Sequence, residues 1–173
     1  MSDVKATETG EVEVSVRVPA RPEEVFPYFT EPDKYTRWKG LEAELDPRPG
    51  GIYRVKMFSG VWVEGEYLVV ERPHRLVFSW GWRGDPLPTL DVFADVPVGS
   101  STVEVDFVPD GEGTIIRLRH TGLPTAKAGR FHQWGWTAYL PRLEVVSGGG
   151  DPGTDLDPPA LLERWRTAEE AYG

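Results

Sequence analysis

Cysteine is absent from the 173-residue chain. Disulfide frameworks, thiol nucleophiles and thiolate metal sites are excluded together. Histidine is scarce, with three in all, and no HExxH or local cluster of His, Asp and Glu at ligand spacing occurs, so no metal is expected. No cofactor is expected either. The glycines of GEGT at 111–114 sit in a hairpin rather than before a helix, which is wrong for a phosphate cradle. No serine occupies a nucleophile elbow. Cations are outnumbered, 19 Lys and Arg against 28 Asp and Glu, for a formal charge of −9. Such a surface repels phosphate backbones and anionic head groups, so neither nucleic acid nor bare membrane is an expected partner. No apolar run approaches the roughly 18 residues of a spanning helix, and the polar start MSDVKATETG lacks a signal-peptide core. The expectation is a cytoplasmic protein without membrane insertion.

What is present is alternation. After a lead-in over 1–10, expected to be flexible, EVEVSVRV places Val12, Val14, Val16 and Val18 on one face and polar residues on the other, a half-buried strand. PEEVFPYF opens a helix with a proline and two acids in its first turn, and Pro27 limits its length. DKYTRW suits a second short helical turn ending near Trp38. Five further strands are read in IYRVKM, VWVEGEYLVVER, RLVFSWGW, TVEVDFVP and TIIRLRH, joined by short connections that imply antiparallel neighbours. From about Lys127 to Val146 the period becomes helical. The chain is long enough for one domain with a real core. Each strand has one apolar face, and only the long helix is large enough to cover the sheet. The predicted class is α+β: a curved six-stranded antiparallel sheet wrapped around a long C-terminal helix, with two short helices after the first strand.

The segments VPARPEEVFPYFTEPDKYTRW, DPRPGGIYRVKM, GEYLVVERPHRLVFSW, STVEVDFVPDGEGTIIRLRHTGLP and HQWGWTAYLPRL, over about 12–146, resemble the START-like (SRPBCC) superfamily with the helix-grip fold. The likeness is to its bacterial branch related to the Hsp90 ATPase activator domain. The resemblance implies a START-like domain over 11–147 with a deep cavity between sheet and helix. Across the superfamily such cavities serve lipids, sterols, polyketides and other apolar molecules, and members include binders, carriers, cyclases and chaperone co-factors. The fold alone does not choose among them. The loop from Arg83 to Ser100 is longer than the family habit, and the tail beyond Gly148 has no family counterpart.

Seven tryptophans are many for a chain of this size, and several fall on inward faces. Trp80 and Trp82 share a strand face with Phe78; Met57, Phe107 and Leu118 point inward from neighbouring strands. Trp136, Tyr139 and Leu140 share a helix face with His132. Trp38 stands where the resemblance implies that one mouth of the cavity closes. Tryptophans specify filled cores as readily as pockets. His120 and His132 are either satisfied by local hydrogen bonds or are the few polar anchors of an apolar pocket. His74, in RPHR, reads as surface, and Glu64, Glu66, Glu104 and Asp106 as the solvated face of the sheet.

The preferred function is therefore a non-catalytic binding protein for a small apolar, aromatic or lipid-like molecule, in a cavity of about 300 Å³ or more. One alternative is a cyclase- or hydrolase-type enzyme with His132 as acid or base, which lacks an identifiable orienting carboxylate. Another is a chaperone-linked interaction module. Phe131 and Trp134 lie nearly opposite the inner stripe of the long helix. The tail, with Leu161, Trp165, Ala168 and Tyr172 on one helical face beyond a breaker-rich linker from 148, is expected to pack there. The 83–100 segment is too apolar to stand in water and is expected to fold over the cavity mouth or into a subunit interface. This segment or the tail could join two copies as a homodimer.

Overall fold

The computed structural model describes residues 2–6, 10–58, 60–84, 91–153 and 163–167. The sheet contains β1 (Ser2–Ala6), β2 (Val12–Val18), β3 (Glu42–Leu45), β4 (Ile52–Phe58), β5 (Val61–Glu71), β6 (Arg75–Trp80), β7 (Trp82–Gly84), β8 (Ser101–Asp110) and β9 (Gly113–Thr121). Their order is β1-β2-β9-β8-β6-β5-β4-β3, with β7 paired to β5 off that path and every named pair antiparallel. Between β2 and β3 run α1 (Pro22–Val25), a 3-10 turn over Phe26–Phe29 and α2 (Pro32–Tyr35); α3 (Asp91–Ala94) precedes β8 and α4 (Ala126–Ser147) follows β9. This is the helix-grip α+β architecture.

Alternation does what the sequence promised in β2 and β8. Val12, Val14, Val16 and Val18 are buried while Glu13 and Arg17 are exposed, and Val103, Val105 and Phe107 face the core from β8. Thr125 caps α4 by accepting the Ala128 N–H at 3.0 Å, satisfying one of the donors orphaned at a helix start. The helix runs through Pro141, where the Thr137 carbonyl loses its usual donor.

Three strands go beyond the six expected. Residues 2–6, expected as a flexible lead-in, form β1 and pair with the otherwise open edge of β2. EAEL forms β3, an edge strand too short and too acidic to announce itself. RLVFSWGW is not one strand. Trp80 is opposite Ser101 on β8, whereas Trp82 is opposite Val63 on β5. The switch falls at Gly81, where any Cβ would stand 1.8 Å from the Pro97 carbonyl oxygen. Only glycine admits that crossing chain.

Candidate functional site

Between α4 and the sheet lies a cavity of about 40 Å³. Met57, Phe58, Trp80 and Trp82 line it from the sheet and Lys39 from the chain after α2; α4 contributes Phe131, His132, Trp134, Gly135, Trp136 and Tyr139. Trp134 and Gly135 are half-buried and mark its solvent side. The expected room of about 300 Å³ or more is not there. Rings fill it: Trp80 packs against Trp136 with centroids 5.2 Å apart and edge-on to Trp82 at 6.0 Å. What remains holds a water or two, or part of one ring inserted between movable side chains.

Both inner histidines are fully buried and their tautomers are set by tryptophans. The Trp82 indole N–H donates to His132 Nε2 at 3.0 Å, so Nδ1 carries the proton and donates to the Ala128 carbonyl at 2.8 Å. The Trp136 indole N–H donates to His120 Nδ1 at 3.2 Å; His120 Nε2–H then donates to Ser101 Oγ at 2.8 Å, and Ser101 donates onward to the Trp80 carbonyl at 2.9 Å. Desolvation, with the Lys39 charge nearby, lowers His132 to about 4. Desolvation, then the neighbouring His132 and Lys39, holds His120 well below its usual value. Each ring is neutral with both nitrogens engaged.

Lys39 was not legible as a site residue, because a lysine beside a turn reads as surface. Its N–H closes onto the Tyr35 carbonyl at the end of α2, and Gly40, at φ +83°, turns the chain away. The side chain, only 3 % exposed, is thereby sent inward. Its Nζ lies 4.4 Å from the Tyr139 ring centroid, 4.9 Å from that of Trp80 and 5.1 Å from that of Trp136, and 3.2 Å from Met57 Sδ. This is a cation held against aromatic faces. No Asp or Glu lines the cavity among the described residues.

The structure divides the sequence candidates into two groups. Met57, Trp80, Trp82, His132, Trp136 and Tyr139 meet at the cavity, and His120 stands behind Trp80 and Trp136. Trp38, Phe78, Phe107, Leu118 and Leu140 are core residues away from it. Trp38 donates its indole N–H to the Tyr28 carbonyl and packs on Phe29 and Tyr35; Phe78 stacks on Tyr53; Phe107 meets Phe26 and Phe29. A buried hydrogen bond joins the Tyr35 and Tyr53 hydroxyls, and burial raises both phenols. Phe131, assigned to the outer stripe of α4, instead lines the cavity, because the 91–98 segment folds over it. Phe93 packs edge-on to Trp82 at 4.5 Å and to Phe131 at 5.3 Å. Gly135 has nothing within 4 Å of where a Cβ would be, so no strand approaches the helix closely there.

On the outer side, Trp165 from the short helix at 163–167 is completely buried, 5.2 Å from Phe131 and 5.8 Å from Trp134. Leu161, Ala168 and Tyr172 lie outside the described residues, as do 85–90 of the 83–100 segment. Phe93, Val96 and Trp165 are buried within a single chain. They therefore need no second copy to cover them. Arg142 anchors the start of the linker, donating to the carbonyls of Trp38, Pro152 and Gly153 at 3.0–3.1 Å.

No group of three or more potential metal ligands is found among the described residues, and no described helix is long and apolar enough to cross a membrane.

Among solved structures, an AHSA1-like protein from Rhizobium etli, RHE_CH02687, is 37% identical; the match covers 91% of this chain and 92% of that one with a TM-score of 0.62. DynU16, a protein of the dynemicin biosynthetic locus, is 25% identical with a TM-score of 0.66; the match covers 83% of this chain and 49% of DynU16, so this chain spans about half its length. An HSP90 activator from Plasmodium falciparum, PFC0360w, is 25% identical over 80% of this chain and 96% of that one, with a TM-score of 0.60. Among curated proteins there is no match. Residues 19–148, from the end of β2 through α4, match the family described as Activator of Hsp90 ATPase homolog 1-like protein, and the chain belongs to that family.

Proposed function

We propose that this chain is a non-catalytic binding protein of the cytoplasm for a small apolar, aromatic or lipid-like molecule, received between α4 and the sheet. The observation that carries this reading is the ring-lined cavity between the two layers, since apolar concavities with few polar groups are where small molecules bind. Its small volume argues for a slender ligand, or for rings that part to admit one.

The enzyme alternative is the weaker one. An acid–base group needs a nitrogen within reach of the reacting atom. His132 has both nitrogens committed to Trp82 and Ala128, and no carboxylate stands at the cavity to orient it. The likeness to an HSP90 activator favours a second reading, protein docking on the outer face of α4. Against that, Phe131 and Trp134 are already covered by Trp165.

Native mass spectrometry for a co-purified molecule, with tryptophan fluorescence against one- and two-ring aromatics and fatty acids, tests the reading. A bound molecule or saturable quenching is expected. No adduct and no fluorescence response to any of them would overturn it, and product formed from a bound compound would favour the enzyme. In that event His132→Gln should lower turnover about 10²–10⁴-fold; in a pure binder it weakens affinity about tenfold at most.

A further inference from the structure

Six residues of α4 line the cavity, and five of them carry rings: Phe131, His132, Trp134, Trp136 and Tyr139. The sixth, Gly135, carries no side chain. Nothing in the fold calls for glycine there. Its backbone is ordinary helix without a positive φ, and no neighbouring segment comes within 4 Å of where a Cβ would stand. Glycine is also among the poorest helix formers. What the absent side chain leaves is a notch on the solvent side of the cavity, with Phe131 and Tyr139 one helical turn away on either side.

The edges of the notch are held in place. Phe131 packs on Trp165 at 5.2 Å and on Phe93 at 5.3 Å, and Trp134 packs on Trp165 at 5.8 Å. His132 is tied at both ring nitrogens. The missing side chain, more than ring motion, therefore sets the width of the opening. Behind it the free space is shallow, about 40 Å³, with the Trp80 and Trp136 rings in its wall. Such a space suits the edge of a flat ring, which gains ring–ring contacts with the indoles. A puckered ring is thicker and brings no π face.

Resting on the binding function proposed above, we infer that Gly135 is the specificity-determining residue of the site: its notch admits flat aromatic molecules edge-first and excludes puckered or branched hydrocarbons of equal apolar area. The inserted edge lies among the indoles, and the rest of the ring system occupies the space where a side chain at 135 would be. Selection is by shape and requires no charge on the guest.

The test compares 2-naphthol with decahydro-2-naphthol, neutral alcohols on the same fused-ring skeleton, by ligand-observed NMR and calorimetry on the full chain. Buried area alone would leave the two equal or favour the saturated compound. 2-Naphthol is expected to bind about fivefold tighter or more, the scale of ring–ring contacts beyond area burial. Gly135→Leu should weaken 2-naphthol about tenfold or more by filling the notch. Gln133→Leu adds the same bulk to α4 away from the cavity and should leave affinity within about twofold. Equal or tighter binding of the decahydro compound, binding of fatty acids without 2-naphthol, or an unchanged affinity in folded Gly135→Leu would overturn the inference and leave the binding function standing. No response to these compounds or to the wider panel would remove the binding function and this inference with it. If Gly135→Leu fails to fold, the affinity ratio in the native protein decides, together with nuclear Overhauser contacts from bound 2-naphthol to the Gly135 Hα, whose absence would overturn the inference.

Discussion

Trp82 and His132, fifty positions apart in sequence, are joined by an indole N–H donated to Nε2 at 3.0 Å. The bond has a pH consequence. A free imidazole titrates near 6.5, whereas desolvation lowers His132 to about 4 and holds His120 well below its usual value. The unfolded chain therefore takes up protons first as pH falls. Stability from these neutral rings is fully present above about pH 6.5 and declines as pH drops toward 4, by roughly 3 kcal/mol for His132. Thermal melts from pH 7.5 to 4 should show the decline, and His132→Gln should flatten it. Parallel curves for the two proteins would mean that His132 is not the buried neutral ring described.

Gly135 lies in mid-helix with open space where its side chain would be. A glycine there costs about 1 kcal/mol relative to alanine. Gly135→Ala should raise the denaturant midpoint by an amount equivalent to about 0.5–1 kcal/mol. Gly135→Leu should occupy the solvent side of the cavity and abolish quenching of tryptophan fluorescence by aromatic compounds without unfolding the protein. Unimpaired binding by the leucine variant would place the entrance elsewhere.

Trp165 is the buried residue of the helix at 163–167. Deleting 154–173 keeps Pro152 and Gly153 for Arg142 but uncovers Phe131 and Trp134. The truncated protein should bind more of an apolar dye and melt lower; Trp165→Ala alone should remove about 3 kcal/mol. A truncated chain as stable and monodisperse as the full one would show that another segment covers those rings.

Arg142 holds three carbonyls at once with its planar fork. Lysine offers one point charge and cannot replace that geometry. Arg142→Lys should destabilise by about 1–3 kcal/mol and speed amide exchange around 150–153. Exchange rates equal to those of the native protein would mean that the guanidinium does not fix the linker.

Periodicity made most of the architecture readable. Valine alternation in β2 and the helical spacing of His132, Trp136 and Tyr139 placed inward faces correctly, because burial follows the strand and helix repeats directly. Lys39 escaped because its inward course depends on the Gly40 turn, a backbone feature, and not on hydrophobic pattern. Phe131 was misplaced because the 91–98 segment brings Phe93 round to its flank, a long-range contact with no local signature. Cavity size was likewise illegible. A row of inward tryptophans gives the number of rings but not how tightly they interlock.

Phe131 and Trp134 are a partition with two sides: they line the cavity and bear the weight of Trp165. Any guest large enough to push them outward must lift Trp165 as well, while one that leaves them in place disturbs nothing beyond. Under the proposed binding function, Trp165 is thus a gauge of guest size. Protease cleavage near 163–167 should quicken when a bulky molecule is bound and stay unchanged with a slim one, so a cut made on the outside of the protein would measure what has been admitted within.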